Sequence, residues 1–403
     1  MIKRLLKIFL IILIIVILIA LALGAAYYFT EPEITLNGEE SMEVTMAEGY
    51  QEPGYEAKYW FIDITDRVEV DSDVNDKKVG EYSVNYSVSF LEKTASTART
   101  VSVVDREPPV LTLNEGETIN VLTNSKFEDP GYSAEDDSDG DVTETVITKG
   151  IVDTYNPGTY TISYSVSDSY GNEAQKTRTV IVDGEPEVKP DKVIYLTFDD
   201  GPSDNVTPEV LETLKKYKVP ATFFIIGYSQ SEEHIALLRS AIAQGHTIGI
   251  HGYSHDYEEI YQSVPDFMEN IKTLDEMIRT DLNYEPFVIR FPGGSSNTVS
   301  ESYCDGIMTD LVQKVQEEGY YYTDWNVDST DASGNGISTD RIISSIENGC
   351  KEDQYNIVLM HDSDAKQTTA EALSEVIEWA QEEGYTFKAM EKGGPTVHHR
   401  VNN

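Results

Sequence analysis

Two histidines four residues apart, His251 and His255, an adjacent aspartate pair, Asp199 and Asp200, and a further histidine, His361, have the types and spacing for metal-assisted chemistry. Imidazoles at i and i+4 can face one metal ion from a single helical turn, and imidazole nitrogen suits zinc. The chain has only seven histidines, so this spacing at the end of an apolar run favours ligation over chance. Adjacent carboxylates in Thr197-Phe198-Asp199-Asp200-Gly201-Pro202 are costly to fold unless each finds a metal or an arginine. Read alone, that segment is also an ordinary turn. Ile289-Arg290-Phe291-Pro292-Gly293-Gly294-Ser295 supplies a guanidinium and a Gly-rich turn whose backbone N–H groups can hold an oxyanion, although a salt bridge and a loop would look the same. Asp324-Trp325-Asn326-Val327-Asp328-Ser329-Thr330-Asp331-Ala332 adds carboxylates, and Ile357-Val358-Leu359-Met360-His361-Asp362 ends an apolar run on His361. Singly these five segments are weak signals. In order, each at a strand-to-loop junction, they form a strong one.

The elements that must position them follow from texture. Apolar strand-like runs at 193–198, 221–226, 287–291 and 357–360 alternate with helix-like stretches at 208–217, 232–244, 265–280 and 369–383. Such alternation over about 200 residues predicts parallel βαβ units, with reacting groups at the carboxyl ends of the strands.

Residues 192 to about 390 resemble the polysaccharide deacetylases of carbohydrate esterase family 4, the NodB-homology domain, through Thr197–Pro202, His251–His255, Arg290–Gly294, Asp328–Asp331 and Leu359–His361. The resemblance implies a deformed (β/α) barrel and metal-dependent hydrolysis of N-acetyl groups on amino sugars. It makes Asp200, His251 and His255 the ligands of a divalent metal, usually zinc, and three protein ligands leave a position open, as a catalytic zinc site requires. It makes Asp199 the general base, Arg290 its orienting partner, the Pro292–Gly293 turn the oxyanion site through the Gly293 N–H, and His361 the general acid supported by Asp331. The chain departs from the family pattern at Gly293, where Tyr is common, and at Ala332, where Trp is common. Those changes open the groove and leave Trp325 and Leu359 to form its wall, while a core role suits their apolar setting equally. His234, His246, His398 and His399 have no partner at ligand spacing and are read as surface, junction or tail residues.

Upstream, two segments repeat with an offset of 77 or 78 residues. Ile34-Thr35-Leu36-Asn37 returns as Leu111-Thr112-Leu113-Asn114, Glu52-Pro53-Gly54-Tyr55 as Asp129-Pro130-Gly131-Tyr132, and Asn85-Tyr86-Ser87-Val88 as Ser163-Tyr164-Ser165-Val166. Period-2 patterning with Pro, Gly and Asn turns predicts two small all-β sandwiches, and both copies resemble the immunoglobulin-like repeats of bacterial surface proteins. The run Glu135–Asp141 invites calcium, but its glycine comes too early for an EF-hand loop, so it is read as a solvated acidic turn.

Ile8 to Phe29 is uncharged and dense in Ile and Leu, about 33 Å as a helix and enough to cross a membrane. Lys3, Arg4 and Lys7 before it and Glu31 and Glu33 after it place the N-terminus inside. An uncleaved anchor is favoured over a signal peptide, whose apolar region is about 7 to 15 residues. The resulting order is anchor 1–30, repeats 31–106 and 107–184, linker 185–190, catalytic domain 191–393 and tail 394–403. Among 403 residues, 71 are acidic and 30 basic, a net charge of −41, which excludes a nucleic-acid binder that relies on a positive field. The hydrophobic share of 40% and 25 Tyr exclude a disordered acidic chain. Cys304 and Cys350 could form one disulfide in an oxidising exterior, but two residues give neither a framework nor a metal spacing and are treated as unpaired or structural.

The expectation is a single-pass membrane-anchored deacetylase of cell-wall N-acetylglucosamine, catalytic domain outside, in a Gram-positive type bacterium. Its partners are the glycan and the membrane, with protein partners unknown. Exported poly-N-acetylglucosamine, chitin oligomers and N-acetylmuramic acid remain open as substrates. The competing class is an inactive glycan-binding adhesin.

Overall fold

Alternation of side chains along the parallel strands decides which residues meet in the barrel. In the strand Val193–Asp199, Ile194, Leu196 and Phe198 join the cluster packed under the helices, whereas Val193 and Tyr195 join a second cluster on the opposite face. Thr197 and Asp199 share that second face by the two-residue period. The face therefore turns from apolar to polar toward the carboxyl end, where the aspartates lie.

The computed structural model describes residues 2–184 and 191–403, so the linker expected at 185–190 lies outside the described residues. The chain groups into two compact units. One comprises Met1–Leu111, Ala134–Val146 and Val166–Ala174, and the other comprises Thr112–Ser133, Ile147–Ser165 and Gln175–Asn403, so the second repeat contributes to both.

In the second unit an eight-stranded sheet carries the candidate site residues. Its order runs Tyr321–Tyr322, Val288–Ile289, Thr247–Gly252, Thr222–Ile226, Val193–Asp199, Tyr355–His361, Val327–Asp328, with Thr386–Phe387 added beside Val193–Asp199. Every pair with a given register is parallel, and Asp199 is the register partner of His361. The edge strands Tyr321–Tyr322 and Val327–Asp328 are joined by only four residues, so the chain itself carries the curl from one edge to the other. Helices Val206–Tyr217, Glu232–Ala243, Val264–Leu282 and Gln367–Glu382 correspond to the expected stretches, and Ile307–Glu317 and Thr339–Gly349 are additional. Ser231, Ser263 and Ser338 cap three of these helices by accepting a backbone N–H three residues on.

The expected polar tail is seated on the barrel at that curl. Asp324 N–H donates to Val397 O at 2.7 Å, His399 N–H donates to Asp324 Oδ2 at 2.8 Å, and the His398 ring stacks on Tyr322 at 3.7 Å. Buried polar groups need partners, and the irregular crossing 323–326 takes some of its own from this segment.

Each repeat contains a three-stranded and a four-stranded sheet. In the first, the orders are Glu33–Leu36, Tyr55–Tyr59, Ile62–Asp63 and Ser41–Thr45, Lys93–Val104, Gly80–Phe90, Val68–Ser72. The second repeats both orders with Val110–Leu113, Tyr132–Asp136, Gly140–Asp141 and Thr118–Leu122, Glu173–Asp183, Gly158–Ser167, Ile147–Lys149. The repeated acid-Pro-Gly-Tyr motif has a packing cause. Glu52 accepts from Tyr86 Oη and pairs with the buried Arg99 at 3.5 Å, and Asp129 accepts from Tyr164 Oη and pairs with the buried Arg178. A helix covers Ile2–Phe29, and its Arg4–Phe29 portion is long and apolar enough to cross a membrane.

Candidate active site

Asp199, His251, Arg290 and His361 all stand at or just beyond the carboxyl ends of the parallel strands. His251 is the penultimate residue of Thr247–Gly252, and His255 lies in the loop that follows. The two therefore do not share the helical turn that their spacing suggested. The strand end and loop still bring their rings to 5.1 Å.

Asp200, His251 and His255 each direct a ligand atom to within 4.8 Å of the others. Asp200 Oδ1 lies 3.6 Å from His251 Nε2 and 3.7 Å from His255 Nε2. That oxygen is buried and has no hydrogen-bond partner, which is costly for a carboxylate unless a cation occupies the space between the donors. His251 Nδ1 sits 2.8 Å from Arg290 O and can only donate to a carbonyl, leaving Nε2 with a free lone pair toward Asp200. Burial holds this imidazole below the usual histidine range, against the charges of Asp199 and Asp200, so it is neutral as a ligand must be. The donor set fits a divalent cation of zinc type. Asp200 reaches it from a left-handed backbone, φ 72°, a conformation that non-glycine residues seldom adopt.

Arg290 is fully buried and shares its donors among four groups. Nη1 donates to Asp199 Oδ1 at 2.9 Å and to Thr197 Oγ1 at 2.7 Å, Nη2 to Asp324 O at 2.9 Å, and Nε to Thr323 O at 3.2 Å. Its guanidinium lies 4.2 Å over the Phe224 ring. Asp199 is thus fixed through one oxygen, while Oδ2 lies 3.9 Å from His251 Nε2, on the side of the donor triad.

His361 Nδ1 is 2.8 Å from Asp331 Oδ1, and Asp331 Oδ2 accepts from His361 N–H at 2.8 Å and from Thr369 Oγ1 at 2.9 Å. Burial alone would depress His361, but the Asp331 hydrogen bond and the charges of Asp199, Asp331 and Asp200 outweigh it and raise it to about 9. Burial likewise would raise Asp331, yet its hydrogen bonds and the His361 charge hold it below the usual carboxylate range. A histidine held in this way keeps its proton at neutral pH and can donate it. Asp331→Asn removes the carboxylate that sustains it, so the alkaline limb of kcat/KM is expected to move down by about 1 to 3 pH units, read from a pH–rate profile. An unmoved limb would mean that His361 does not set it.

The turn after Arg290 is held from both sides. Tyr261 Oη donates to Pro292 O at 2.8 Å, and Asp324 accepts from Ser295 N–H at 2.7 Å and from its hydroxyl. Gly293 has φ 79°, and a Cβ there would lie 2.5 Å from Tyr257 Oη, so glycine and tyrosine interlock. Trp325 lies behind Gly294 and edge-on to His399 at 4.8 Å, and Leu359 is buried within its strand.

Sequence reasoning assigned no role to Asn270, Asp324, Tyr257, Tyr261 or Asp362. Asn270 accepts from Ser254 N–H at 2.7 Å and donates to Ser254 O at 3.1 Å, clamping the loop that presents His255. Asp362 accepts from Thr207 Oγ1 at 2.6 Å and packs so close to Gly201 that a Cβ there would meet its carboxylate at 2.5 Å. Burial raises Asp362 to about 7, Thr207 opposing and Asp200 and Asp199 adding to it. A local signal existed only for Asp324 and Asp362, which fall inside two of the motifs. Two other histidines bond elsewhere, His234 to Ser229 and Asp204 and His246 by accepting from Ala221 N–H, whereas His398 and His399 belong to the tail seated at the 323–326 crossing.

A family profile described as polysaccharide deacetylase matches residues 187–305, and one described as bacterial surface protein, Ig-like domain, matches 34–103 and 111–182. A peptidoglycan-N-acetylglucosamine deacetylase of Bacillus cereus is 32% identical over 203 residues, 49% of this chain and 69% of the relative. The peptidoglycan-N-acetylglucosamine deacetylase PgdA of Listeria monocytogenes is 32% identical over 209 residues, and this chain spans 40% of its length. The crystal structure of the catalytic domain of a peptidoglycan N-acetylglucosamine deacetylase from Eubacterium rectale superposes with a TM-score of 0.51 at 39% identity, covering 55% of this chain and 98% of that one.

Proposed function

We propose, from the premise that this chain belongs to the polysaccharide deacetylase family, that it hydrolyses the acetamide of N-acetylglucosamine residues in peptidoglycan, releasing acetate and leaving a free amine. One observation carries the reading: Asp199 and His361 are register partners on adjacent strands, each held by its own buried partner, and Asp199 Oδ2 lies 3.9 Å from His251 Nε2 of the Asp200, His251 and His255 donor set. An acid and a base kept apart in this way are what hydrolysis of an unactivated amide needs.

Asp200, His251 and His255 would hold a divalent cation, zinc by donor chemistry. Such a cation supplies Lewis-acid polarisation and makes water a stronger acid. The remaining roles belong to the chain. Asp199, fixed by Arg290, takes a proton from the water that attacks the acetyl carbonyl. The Gly293 N–H donates to the oxyanion that develops, from a turn fixed at Pro292 by Tyr261. His361 gives its proton to the nitrogen as the carbon–nitrogen bond breaks, and Asp331 holds the ring so that Nε2 faces the leaving group. Trp325 and Leu359 shape the groove through the turn and strand that they support.

The rest of the chain suggests where this happens. We take the apolar helix as a membrane anchor and residues 31–106 and 107–184 as spacer repeats that hold a catalytic domain at 191–393 within reach of the wall. Detergent-purified protein is expected to release acetate from purified peptidoglycan, and to lose this on chelation and regain it with zinc. Faster turnover on soluble chitin oligomers or poly-N-acetylglucosamine would reassign the substrate. No release from any N-acetylated glycan would overturn the activity and leave a glycan-binding surface protein.

A further inference from the structure

Three aspartates outside the barrel converge where the two repeats join. Asp105 follows the last strand of the first repeat, Asp136 ends the strand Tyr132–Asp136, and Asp168 immediately follows the strand Gly158–Ser167. They are 7%, 8% and 8% exposed, and an oxygen of each lies within 4.8 Å of the others. Every hydrogen bond that they accept comes from a neutral donor. Asp105 Oδ1 takes Glu107 N–H at 3.0 Å, and the Ser138 hydroxyl lies between Asp105 Oδ2 and Asp136 Oδ1 with one hydrogen to give. Asp136 Oδ1 takes the N–H groups of Ser138 and Asp139 at 3.0 and 2.9 Å. Asp168 takes the N–H groups of Tyr170 and Asn172 at 2.9 and 2.8 Å and the Asn172 amide at 2.7 Å. Asp136 Oδ2 is left buried with no partner. Among the described residues none of the three forms an ion pair with Lys, Arg or His.

The first repeat shows what this position looks like without charge. The offsets of 77 and 78 place Tyr59 opposite Asp136 and Phe90 opposite Asp168. Those two rings pack at 5.2 Å, and Tyr59 Oη donates to Tyr27 O at 3.0 Å, so an aromatic pair seals the first repeat against the element before it. In the second repeat the same two positions, facing the segment before it, carry carboxylates. Like charges buried without a counter-charge destabilise a fold, so the exchange calls for a cation.

We propose that Asp105, Asp136 and Asp168 bind one calcium ion that ties the first repeat to the second. An all-oxygen set from carboxylates suits a hard cation, and backbone carbonyls and water can complete the six to eight ligands that calcium takes. The acidic turn expected at Glu135–Asp141 is therefore not wholly solvated. Its buried member, Asp136, joins two aspartates about 30 residues away on either side, a set that no local loop spacing encodes.

Calcium titration into the full chain in detergent, zinc-loaded and stripped of calcium, tests this by calorimetry and by thermal unfolding. One equivalent is expected, with a dissociation constant of about 10⁻⁴ to 10⁻³ M as in extracellular modules, together with a higher unfolding midpoint. Asp136→Asn with Asp168→Asn should weaken binding at least tenfold while acetate release from soluble oligomers stays unchanged. Asp136→Tyr with Asp168→Phe transplants the first repeat's aromatic pair and should fold with no response to calcium, which keeps the test decisive if the amide variant does not fold. No calcium uptake by the wild type, or a calcium response surviving in the aromatic variant, would overturn the proposal.

Discussion

Acetate release is expected to fall by about 10³-fold or more in His251→Ala, and bound metal to fall with it. The magnitude follows from the several kcal/mol that a Lewis-acidic cation contributes to an acyl-transfer transition state, at about 1.4 kcal/mol per tenfold. The imidazole is one of three donors, and its removal leaves Asp200 Oδ1 with only His255 Nε2 among the ring nitrogens placed 3.6 and 3.7 Å from it. The His251 side chain also closes a hydrogen bond to Arg290 O, so some stability goes with it. Metal content and unfolding midpoint, measured together, separate the two effects. A variant that retains metal and activity would mean that the donor triad is not the catalytic centre.

The placement of the candidate site residues was more legible in the sequence than the scaffolding around them, for a physical reason. In a parallel sheet, one face of each strand opens at its carboxyl end, so Asp199, His251, Arg290 and His361 could be placed together from strand texture and motif order before any contact was known. What the chain does between those points is long-range. Nothing near Asn270 announces that it will clamp Ser254 sixteen residues earlier, and nothing near His399 announces that its N–H will satisfy Asp324. Tyr257 is one of 25 tyrosines, and only its approach to Gly293 distinguishes it. The helical reading of His251 and His255 failed because i, i+4 spacing also arises when a strand ends and its loop folds back. The repeats were legible through period-2 alternation and through paired motifs. The packing reason for those motifs, a buried arginine held by the Glu52 or Asp129 carboxylate, needed the structure.

Arg290→Met should be the most destabilising substitution in the barrel, and a second change should partly repair it. The guanidinium is fully buried and makes four hydrogen bonds, two of them to backbone carbonyls of the irregular crossing at Thr323 and Asp324. Removing one member of a buried ion pair costs about 3–5 kcal/mol, because the other charge is left unpaired. Here that charge is Asp199, whose Oδ1 loses its cation at 2.9 Å. Methionine fills much of the volume over Phe224, so most of the loss is electrostatic and polar rather than a cavity. Converting Asp199 to Asn in the same chain removes the stranded anion. The double variant is therefore expected to recover about 1–3 kcal/mol relative to Arg290→Met in denaturant unfolding. Activity should not return, since Asn cannot take the proton. If the two changes were simply additive in stability, Arg290 would be acting through its backbone contacts alone, and the orienting role given to it would fail. Coupling without recovered activity is the result that ties the buried pair to the chemistry at the strand ends.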